Sequence, residues 1–227
     1  MITQRPALPL VYQDEKYIVV NKPAGLSVHN GDENVITHLS RSLGERVNPV
    51  HRIDRETSGL LVLARGKQAT AELQASLLTP ESLKEYLLIV RGAPSTPHGT
   101  WTRELTPKAE GRRDPAGDPH ERVEAQTRFQ VIQQNQWLSL LKCQLITGRQ
   151  HQIRRHAALE GCCVIGDTRY GDLRHAGMIE KRYGFSGIAL HSSRLEFDHL
   201  GERRIFEVDP PSEWECFALW SRSSQKS

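Results

Sequence analysis

The chain has 227 residues, of which 37% are hydrophobic and 25% are charged. This length and composition exclude fibrous and disordered proteins and predict a globular protein. The formal net charge of +3 is too small to indicate a partner by itself. Because the opening "MITQRPALPLVYQDEKYIVVNKPAG" has no long apolar region, and no apolar run is long enough to span a membrane, we expect a cytoplasmic protein.

Three short apolar runs predict strands in the first half of the chain. The β-branched run "YIVVNKP" (17–23) is stopped by a proline and a glycine, as strands commonly are. The run "GLLVLA" (59–64) is uniformly apolar, which is typical of a strand covered on both faces. The run "KEYLLIVRG" (84–92) is the third predicted strand.

Two stretches of the first half have the spacing of amphipathic helices. The first has apolar residues on one helical face, with Asp32 or Asn34 as the cap and Gly44 at the end. The second lies between the strands 59–64 and 84–92, and its apolar residues recur every four positions. The apolar positions of the two helices are Val35, Ile36, Leu39 and Leu43, and then Ala69, Leu73 and Leu77.

Residues 93–122 differ in character from their surroundings. They contain five prolines, several glycines and equal numbers of basic and acidic side chains. This composition predicts an exposed excursion between two halves of the chain, at about 1–92 and 123–221.

The second half is predicted to contain more strands than helices. Strands are expected near 123–132 and 137–146, and the turn "TGR" leads into a helix over about 150–160. A glycine-rich loop "GDTRYGD" follows, and then strands at "IALHSSRLEF" and "RRIFEVDPP". Ser212 and Glu215 have capping-box spacing, which predicts a short last helix that packs through Trp214, Phe217 and Trp220.

The order of these elements indicates the fold class. Strands and helices do not alternate strictly, so the sequence predicts an α+β fold with a mixed, largely antiparallel central sheet flanked by helices and loops. We expect a single domain over residues 1–227 whose halves share the sheet.

The stretch "NPVHRIDRETSGLLVLAR" (48–65) places Asp54 between Arg52 and Arg55 at the start of an apolar run. Nearby cations favour the charged form of a carboxylate, so Asp54 is suited to act as a nucleophile or to stabilise positive charge on a sugar. The alternative is a structural ion pair or a turn cap. Arg52 and Arg55 either hold this turn together or reach outward to stack on bases and bind phosphate.

A second group of candidate residues follows the predicted strand 137–146. The stretch from Leu138 to Leu159 has four basic residues, two histidines and no acid, which is typical of a phosphate-binding segment or of a solvated face. A helix start after "TG" would cluster Arg149, His151 and Arg154 where backbone amides favour anions.

The spacing of histidines and cysteines gives no indication of a metal site. His151 and His156 are five apart and lack the glutamate of a helical zinc pair. The four cysteines show no CxxC spacing, so neither a thiolate zinc site nor a disulfide framework is predicted.

Five of these segments together resemble the RluA-type pseudouridine synthases, which isomerise uridines in structured RNA. The segments are "DEKYIVVNKPAGLSVH", "HRIDRETSGLLVLA", "KEYLLIVRG", "TGRQHQIRRHAALEGCCVIGDTRYG" and "ALHSSRLEF", and they occur in the order of the family. The resemblance covers about residues 10–210. It implies the pseudouridine synthase catalytic fold, with the active-site cleft between two half-domains and without the small S4-type RNA-binding domain of many relatives.

The resemblance also implies roles for individual residues. Asp54 would be the catalytic aspartate, with Tyr86 against the target base and Arg154 paired with the aspartate. Arg52 would enter the RNA helix in place of the extruded nucleotide. The motif residues to which we assign RNA contacts are Arg55, Arg149, His151 and Arg155, and the residues expected to line the uracil pocket are Leu145 and Ile153.

The implied reaction moves a glycosidic bond within one uracil and needs neither a cofactor nor a metal. The expected partner is a structured RNA, either tRNA or rRNA, and the enzyme is expected to be a monomer. Two alternatives stay open: a non-catalytic RNA-binding or RNA-folding protein with the same basic surface, and a metal-dependent hydrolase or deaminase built on His51, His151, His191 and a cysteine.

Overall fold

The computed structural model describes residues 8–109 and 114–219, which form two compact units. The first unit contains the described residues up to Ser82 together with Arg194–Val208. The second contains Leu83–Ser193 and the described residues from Asp209 onward. The domain boundaries suggested by the sequence stay a prediction.

Ten strands and four helices account for most of the described residues. The strands are β1 (Leu10–Gln13), β2 (Tyr17–Lys22), β3 (Val47–Pro49), β4 (Ser58–Arg65), β5 (Leu83–Arg91), β6 (His98–Trp101), β7 (Thr127–Gln134), β8 (Leu138–Leu145), β9 (Leu190–His199) and β10 (Glu202–Glu207). The helices are α1 (Val35–Leu43), α2 (Gly66–Leu78), α3 (Gln152–Leu159) and α4 (Leu173–Tyr183).

The first unit is built on β2 and β4, which pair antiparallel over the whole length of β2. β1 pairs antiparallel with β2, and β3 pairs antiparallel with β4. All residues of β4 except the last are buried, as expected of a uniformly apolar strand covered on both faces. The carboxyl-terminal part of β9 forms an antiparallel hairpin with β10.

The two predicted helices of the first unit are confirmed. Asn34 caps α1 with the reciprocal hydrogen bonds of a capping box with Thr37, and Gly44 ends the helix at a φ of 70°. Ala69, Leu73 and Leu77 are the buried residues of α2, and they pack with β2 and β4 in one apolar cluster. The spacing read from the sequence therefore identified the core face of this helix.

The second unit contains the antiparallel strand order β5, β8, β7 and β6. Tyr86 of β5 lies opposite Cys143 of β8 in this register. An apolar core formed by these strands includes Trp214 and Phe217 near the end of the described chain. The antiparallel strand pairs and the flanking helices within each unit confirm the predicted α+β class.

The excursion at 93–122 is not exposed throughout, which corrects the prediction. Within its described residues, Trp101, Leu105, Thr106 and Ala116 are buried, and a backbone bridge joins Leu105 to Val123. Proline and glycine content correctly indicated that long regular elements are absent, but it did not indicate that several side chains of this segment are buried.

Two further predictions near the end of the chain need correction. The residues Ser212–Phe217 form a 3-10 helix that begins after Pro211 without a side-chain cap, so the predicted capping box does not form. Trp214 and Phe217 are buried as predicted, whereas Trp220 lies outside the described residues. The sequence also gave no indication of α4, whose start is capped by Asp172.

Candidate active site

The predicted site residues are divided between the two units. Arg52, Asp54 and Arg55 belong to the first unit, on the loop between β3 and β4. The remaining residues belong to the second unit, on β5, at the end of β8, and in or just before α3. They are Tyr86, Leu145, Arg149, His151, Ile153, Arg154 and Arg155.

The side chain of Asp54 is half-buried, while Arg52 and Arg55 on either side of it are exposed. The preceding Ile53 is buried and anchors the loop in the interior. The carbonyl oxygen of Asp54 accepts a hydrogen bond from the amide of Thr57 at 3.1 Å, which closes a tight turn into β4. A partly exposed carboxylate is thus presented on a backbone that is fixed at both ends.

Arg55 fastens this loop to the turn that follows β2. Its Nε donates a hydrogen bond to the carbonyl oxygen of Gly25 at 3.0 Å, and the amide of Gly25 donates to the carbonyl of Arg55 at 2.8 Å. Gly25 has a φ of 86°, a left-handed conformation that glycine adopts without strain. Arg55 therefore holds the Asp54 loop in place, in addition to its predicted RNA contact.

Lys22 is a further residue of this region that sequence reasoning missed. It ends β2, has no exposed surface, and its Nζ donates hydrogen bonds to the carbonyl oxygens of Pro23, Leu26 and Arg55 at 3.0, 2.8 and 3.1 Å. Burial lowers the pKa of Lys22 to about 8, although the nearby charge of Asp54 opposes this shift. A lysine that follows a buried strand and precedes "PAG" was the available sequence signal.

Tyr86 and Leu145 lie on one face of the β5 and β8 strand pair. Tyr86 is directly opposite Cys143, and Leu145 is two residues further along β8, so the three side chains point to the same side. Tyr86 is 6% exposed and Leu145 is half-buried. Ile153 is buried on α3 of the same unit. An apolar surface with one phenol is consistent with the predicted contact with a base.

Arg154 makes a buried, two-pronged ion pair with Asp167. Its Nε donates to Oδ2 of Asp167 at 2.8 Å and its Nη2 donates to Oδ1 at 3.0 Å. Both side chains are almost fully buried, with 3% and 1% exposure. Burial works to raise the pKa of Asp167, but the hydrogen bonds and charge of Arg154 outweigh it, so the pKa lies below its ordinary value.

Asp167 and Tyr170 extend the network around Arg154, and sequence reasoning had assigned them only to a glycine-rich loop. Oδ1 of Asp167 also accepts the amides of Arg169 and Tyr170, at 2.9 and 3.1 Å. The hydroxyl of Tyr170 lies 3.0 Å from Nδ1 of His151. The guanidinium of Arg154 lies 5.4 Å from the ring centroid of Tyr170. The spacing of Asp and Tyr in "GDTRYG" would have indicated a turn closed by a carboxylate.

The predicted RNA contact of Arg155 is contradicted by the structure. Arg155 has no exposed surface, and its guanidinium donates to carbonyl oxygens that include those of Thr106 and Ala116, at 2.8 and 3.0 Å. It also donates to the hydroxyl of Thr106 at 2.8 Å. A side chain without exposed surface cannot touch a phosphate, so Arg155 has a structural role.

Arg149 and His151 retain accessible surface just before α3. Arg149 is half-buried, and its Nε donates to the carbonyl oxygen of Glu124 at 3.1 Å. His151 is half-buried and has a left-handed φ of 54° where the helix begins. Their RNA contacts stay predictions.

Neither a metal site nor a membrane span is found in the part of the chain that the structure describes. No group of three or more His, Cys, Asp or Glu side chains within residues 8–109 and 114–219 is placed to hold a metal ion. Over the same residues, every helix is too short or too polar to cross a bilayer.

Comparison with known proteins identifies the class of protein. Residues 16–159 match the sequence profile of the RNA pseudouridylate synthase family, and this match covers more than half of the chain. The chain therefore belongs to this family, as the RluA-type motifs predicted.

Individual relatives are similar over most of the chain. The protein is 34% identical to the uncharacterized RNA pseudouridine synthase YlyB of Bacillus subtilis, over 91% of this chain and 70% of that protein. It is 32% identical to the ribosomal large subunit pseudouridine synthase C of Salmonella typhimurium, over 89% of this chain. The chain spans 66% of the length of this Salmonella relative.

A solved structure agrees with the family assignment. Human RNA pseudouridylate synthase domain containing 4 superposes with a TM-score of 0.77 at 25% identity, covering 92% of this chain and 93% of that one. A second human protein of the same description, domain containing 1, has the same TM-score at 23% identity. The second likeness concerns the fold alone.

Proposed function

We propose that this protein converts selected uridines of structured RNA to pseudouridine, with the carboxylate of Asp54 as the reacting group. The observation that carries the proposal is the setting of Asp54 within the first unit. A partly exposed carboxylate lies on a loop that Lys22, Gly25 and Thr57 hold by hydrogen bonds, between two exposed arginines. Family membership supports the same reaction.

The reaction is an isomerisation whose atoms balance without a co-reactant. The bond between N1 of uracil and C1′ of ribose breaks, the base rotates, and a bond forms between C5 and C1′. The proton that leaves C5 is replaced by one on N1. Asp54 either attacks the nucleotide covalently or removes a ribose proton to give a glycal-like intermediate, and both routes require a carboxylate.

The target nucleotide must leave the base stack before a side chain can reach it. Unstacking costs a few kcal/mol and costs least in a loop or at a weak pair. Arg52 fills the space left by the base, because an exposed, planar guanidinium both stacks and pairs with phosphate. Arg55, Arg149 and His151 contribute further contacts with the RNA.

Four residues of the second unit bind the target base or act on the reaction intermediate. Tyr86 packs on the target uracil, and Leu145 and Ile153 keep water from the intermediate while the uracil turns. Arg154 acts as the cationic partner of the catalytic carboxylate. Its ion pair with Asp167 fixes the direction of the guanidinium.

The first substrate to test is ribosomal RNA. The name of the Salmonella relative refers to the large ribosomal subunit, which makes large-subunit rRNA the leading candidate and tRNA the second. We expect the protein to act in the cytoplasm as a monomer without a cofactor.

The proposal is tested by tritium release. RNA transcribed with tritium on C5 of uracil loses its label to water only when C5 gains a new bond. We expect release from large-subunit rRNA or from tRNA in the presence of a chelator, because no metal takes part. RNA binding without release from any cellular RNA would instead assign a non-catalytic RNA-binding protein. Mapping pseudouridine in total RNA with and without the gene then locates the modified position.

A further inference from the structure

A second candidate RNA-binding surface lies in the second unit. It is a groove of about 590 Å³ between the carboxyl end of β5, the turn after β7 and helix α4. We call it the α4 groove, and none of the predicted site residues lines it. Its lining residues are Arg91, Trp137, Leu138, His175, Met178, Ile179, Lys181, Arg182 and Tyr183.

Two large apolar side chains are unusually exposed here. Trp137 is 60% exposed and Met178 is 59% exposed, although Trp101 and Trp214 are almost completely buried. Large exposed apolar side chains that line the same groove are typical of a binding site. The groove therefore has apolar surface available for a partner.

The backbone around Trp137 is held firmly. Oδ1 of Asn135 accepts the amides of Trp137 and Leu138, both at 2.9 Å, and the carbonyl of Trp137 accepts the amide of Gly92 at 2.7 Å. These bonds fix the turn while leaving the indole in solvent. A platform that is ordered before binding loses little conformational entropy when a partner stacks on it.

Helix α4 presents one face of mixed character to the groove. His175, Met178, Ile179 and Arg182 follow the spacing of a single helical face. Ile179 is buried in the apolar core of the second unit and anchors the helix. The guanidinium of Arg182 lies 5.4 Å from the ring centroid of Tyr183, which keeps the charge at the groove.

The charge of the groove indicates a polyanionic occupant. Arg91, Lys181 and Arg182 are cations, and no acidic side chain lines the groove. Within the residues that the structure describes, none of these three cations is held in an ion pair. A nucleic acid backbone would neutralise these charges, because each nucleotide carries a phosphate.

We propose that the α4 groove binds an unpaired segment of the RNA substrate, with a base stacked on Trp137 and phosphates near Arg91, Lys181 and Arg182. An aromatic surface bordered by cations is the arrangement with which proteins bind single-stranded nucleic acid without reading its sequence. The inference rests on the proposed function, because an RNA-modifying enzyme provides the RNA. It gives the protein a hold on RNA that is separate from the target uridine.

The test uses the full chain and a labelled, short single-stranded RNA of mixed sequence. Trp137→Ala and Arg182→Glu should each weaken binding about tenfold, since one stacked base and one reversed charge are lost. The matched control is Arg174→Glu, which reverses an exposed arginine on the same helix outside the groove. The control should bind nearly as tightly as the unchanged protein. Thermal unfolding verifies that the three variants stay folded.

The same RNA annealed to its complement provides a second measurement. Stacking needs an unpaired base, so Trp137→Ala should affect binding of the duplex much less than binding of the single strand. Equal binding by all variants would overturn the inference, and so would equal losses for Arg174→Glu and Arg182→Glu, which would indicate general electrostatics. A change of oligomeric state in Trp137→Ala with unchanged RNA binding would also overturn it and would assign the groove to a contact between copies.

Tritium release separates this inference from the proposed function. If the unchanged protein isomerises uridine and the groove variants bind RNA normally, only the groove inference fails. If no isomerisation occurs but the groove variants lose RNA binding, the proposed function fails and the groove inference stands.

Discussion

The Asp54 loop and helix α3 carry arginines that look alike in the sequence but have opposite surroundings. Arg52 and Arg55 are exposed in the first unit, whereas Arg154 and Arg155 are buried in the second. The difference follows from the acceptors that surround each guanidinium. The buried arginines of α3 have a carboxylate and loop carbonyls beside them to accept their hydrogen bonds. We expect the exposed side chains of the first pair to contact RNA, whereas the second pair is held inside the protein.

The largest effect on stability is expected from Asp167→Asn, which removes the carboxylate that accepts two hydrogen bonds from the buried guanidinium of Arg154. Removing one partner of such a pair costs about 3–5 kcal/mol of unfolding free energy. Denaturant unfolding measures this loss. Asp172→Asn is the matched control, because Asp172 is exposed and asparagine caps a helix equally well. Equal stability of the two variants would mean that the pair does not stabilise the second unit.

A slightly smaller loss is expected for Arg155→Met, because it leaves several buried carbonyl oxygens without donors. We expect about 3 kcal/mol of destabilisation, with the salt dependence of RNA binding unchanged. Urea titration and binding at several salt concentrations check both parts. A flattened salt dependence with full stability would restore Arg155 as an RNA contact and remove the contrast between the two pairs.

Lys22→Met tests the support of the Asp54 loop. The loss of a donor to three carbonyl oxygens should cost about 2 kcal/mol. In the unchanged protein, the pKa of Lys22 is about 8 when folded and has an ordinary value of 10.5. The folded state therefore holds fewer protons between these values, so the unfolding free energy contributed by Lys22 rises with pH in this window. The difference in unfolding free energy between the unchanged protein and Lys22→Met should therefore depend on pH between about 8 and 10.5. A difference that is independent of pH would contradict the lowered pKa of Lys22.

The smallest change in stability is expected for Arg52→Ala, at less than about 0.5 kcal/mol, because the side chain is exposed. RNA binding should nevertheless weaken, and its salt slope should fall by about 1. Arg41→Ala, at an exposed arginine of α1, serves as the control for a lost surface charge. Weakened binding of equal size in both variants would argue against a specific role of Arg52.

Periodic, apolar features of the fold could be predicted from the sequence. The buried faces of α1 and α2 and the strands β2, β4 and β5 follow from spacing and β-branched content. Helix α4 was missed because its sequence is polar and its one buried residue, Ile179, gives no repeating pattern. Such a helix depends on tertiary contacts that no local pattern reports.

The residue types of the candidate site could be predicted from the sequence, but the hydrogen bonds and ion pairs that hold its arginines could not. The motif around Asp54 identified the carboxylate, but the interior position of Arg155 depends on carbonyls from residues about 40 to 50 positions away. The pairing of Arg154 with Asp167 likewise depends on how a loop returns to α3. Long-range hydrogen bonds of this kind have no signature in a single sequence.

The central claim concerns the carboxylate at position 54, and Asp54→Asn tests it most directly. We compare tritium release and RNA affinity for this variant and for Glu56→Gln, which removes an exposed acid from the same loop. The account predicts that Asp54→Asn binds RNA, unfolds like the unchanged protein and releases no tritium, whereas Glu56→Gln remains active. Substantial tritium release by Asp54→Asn would contradict the account.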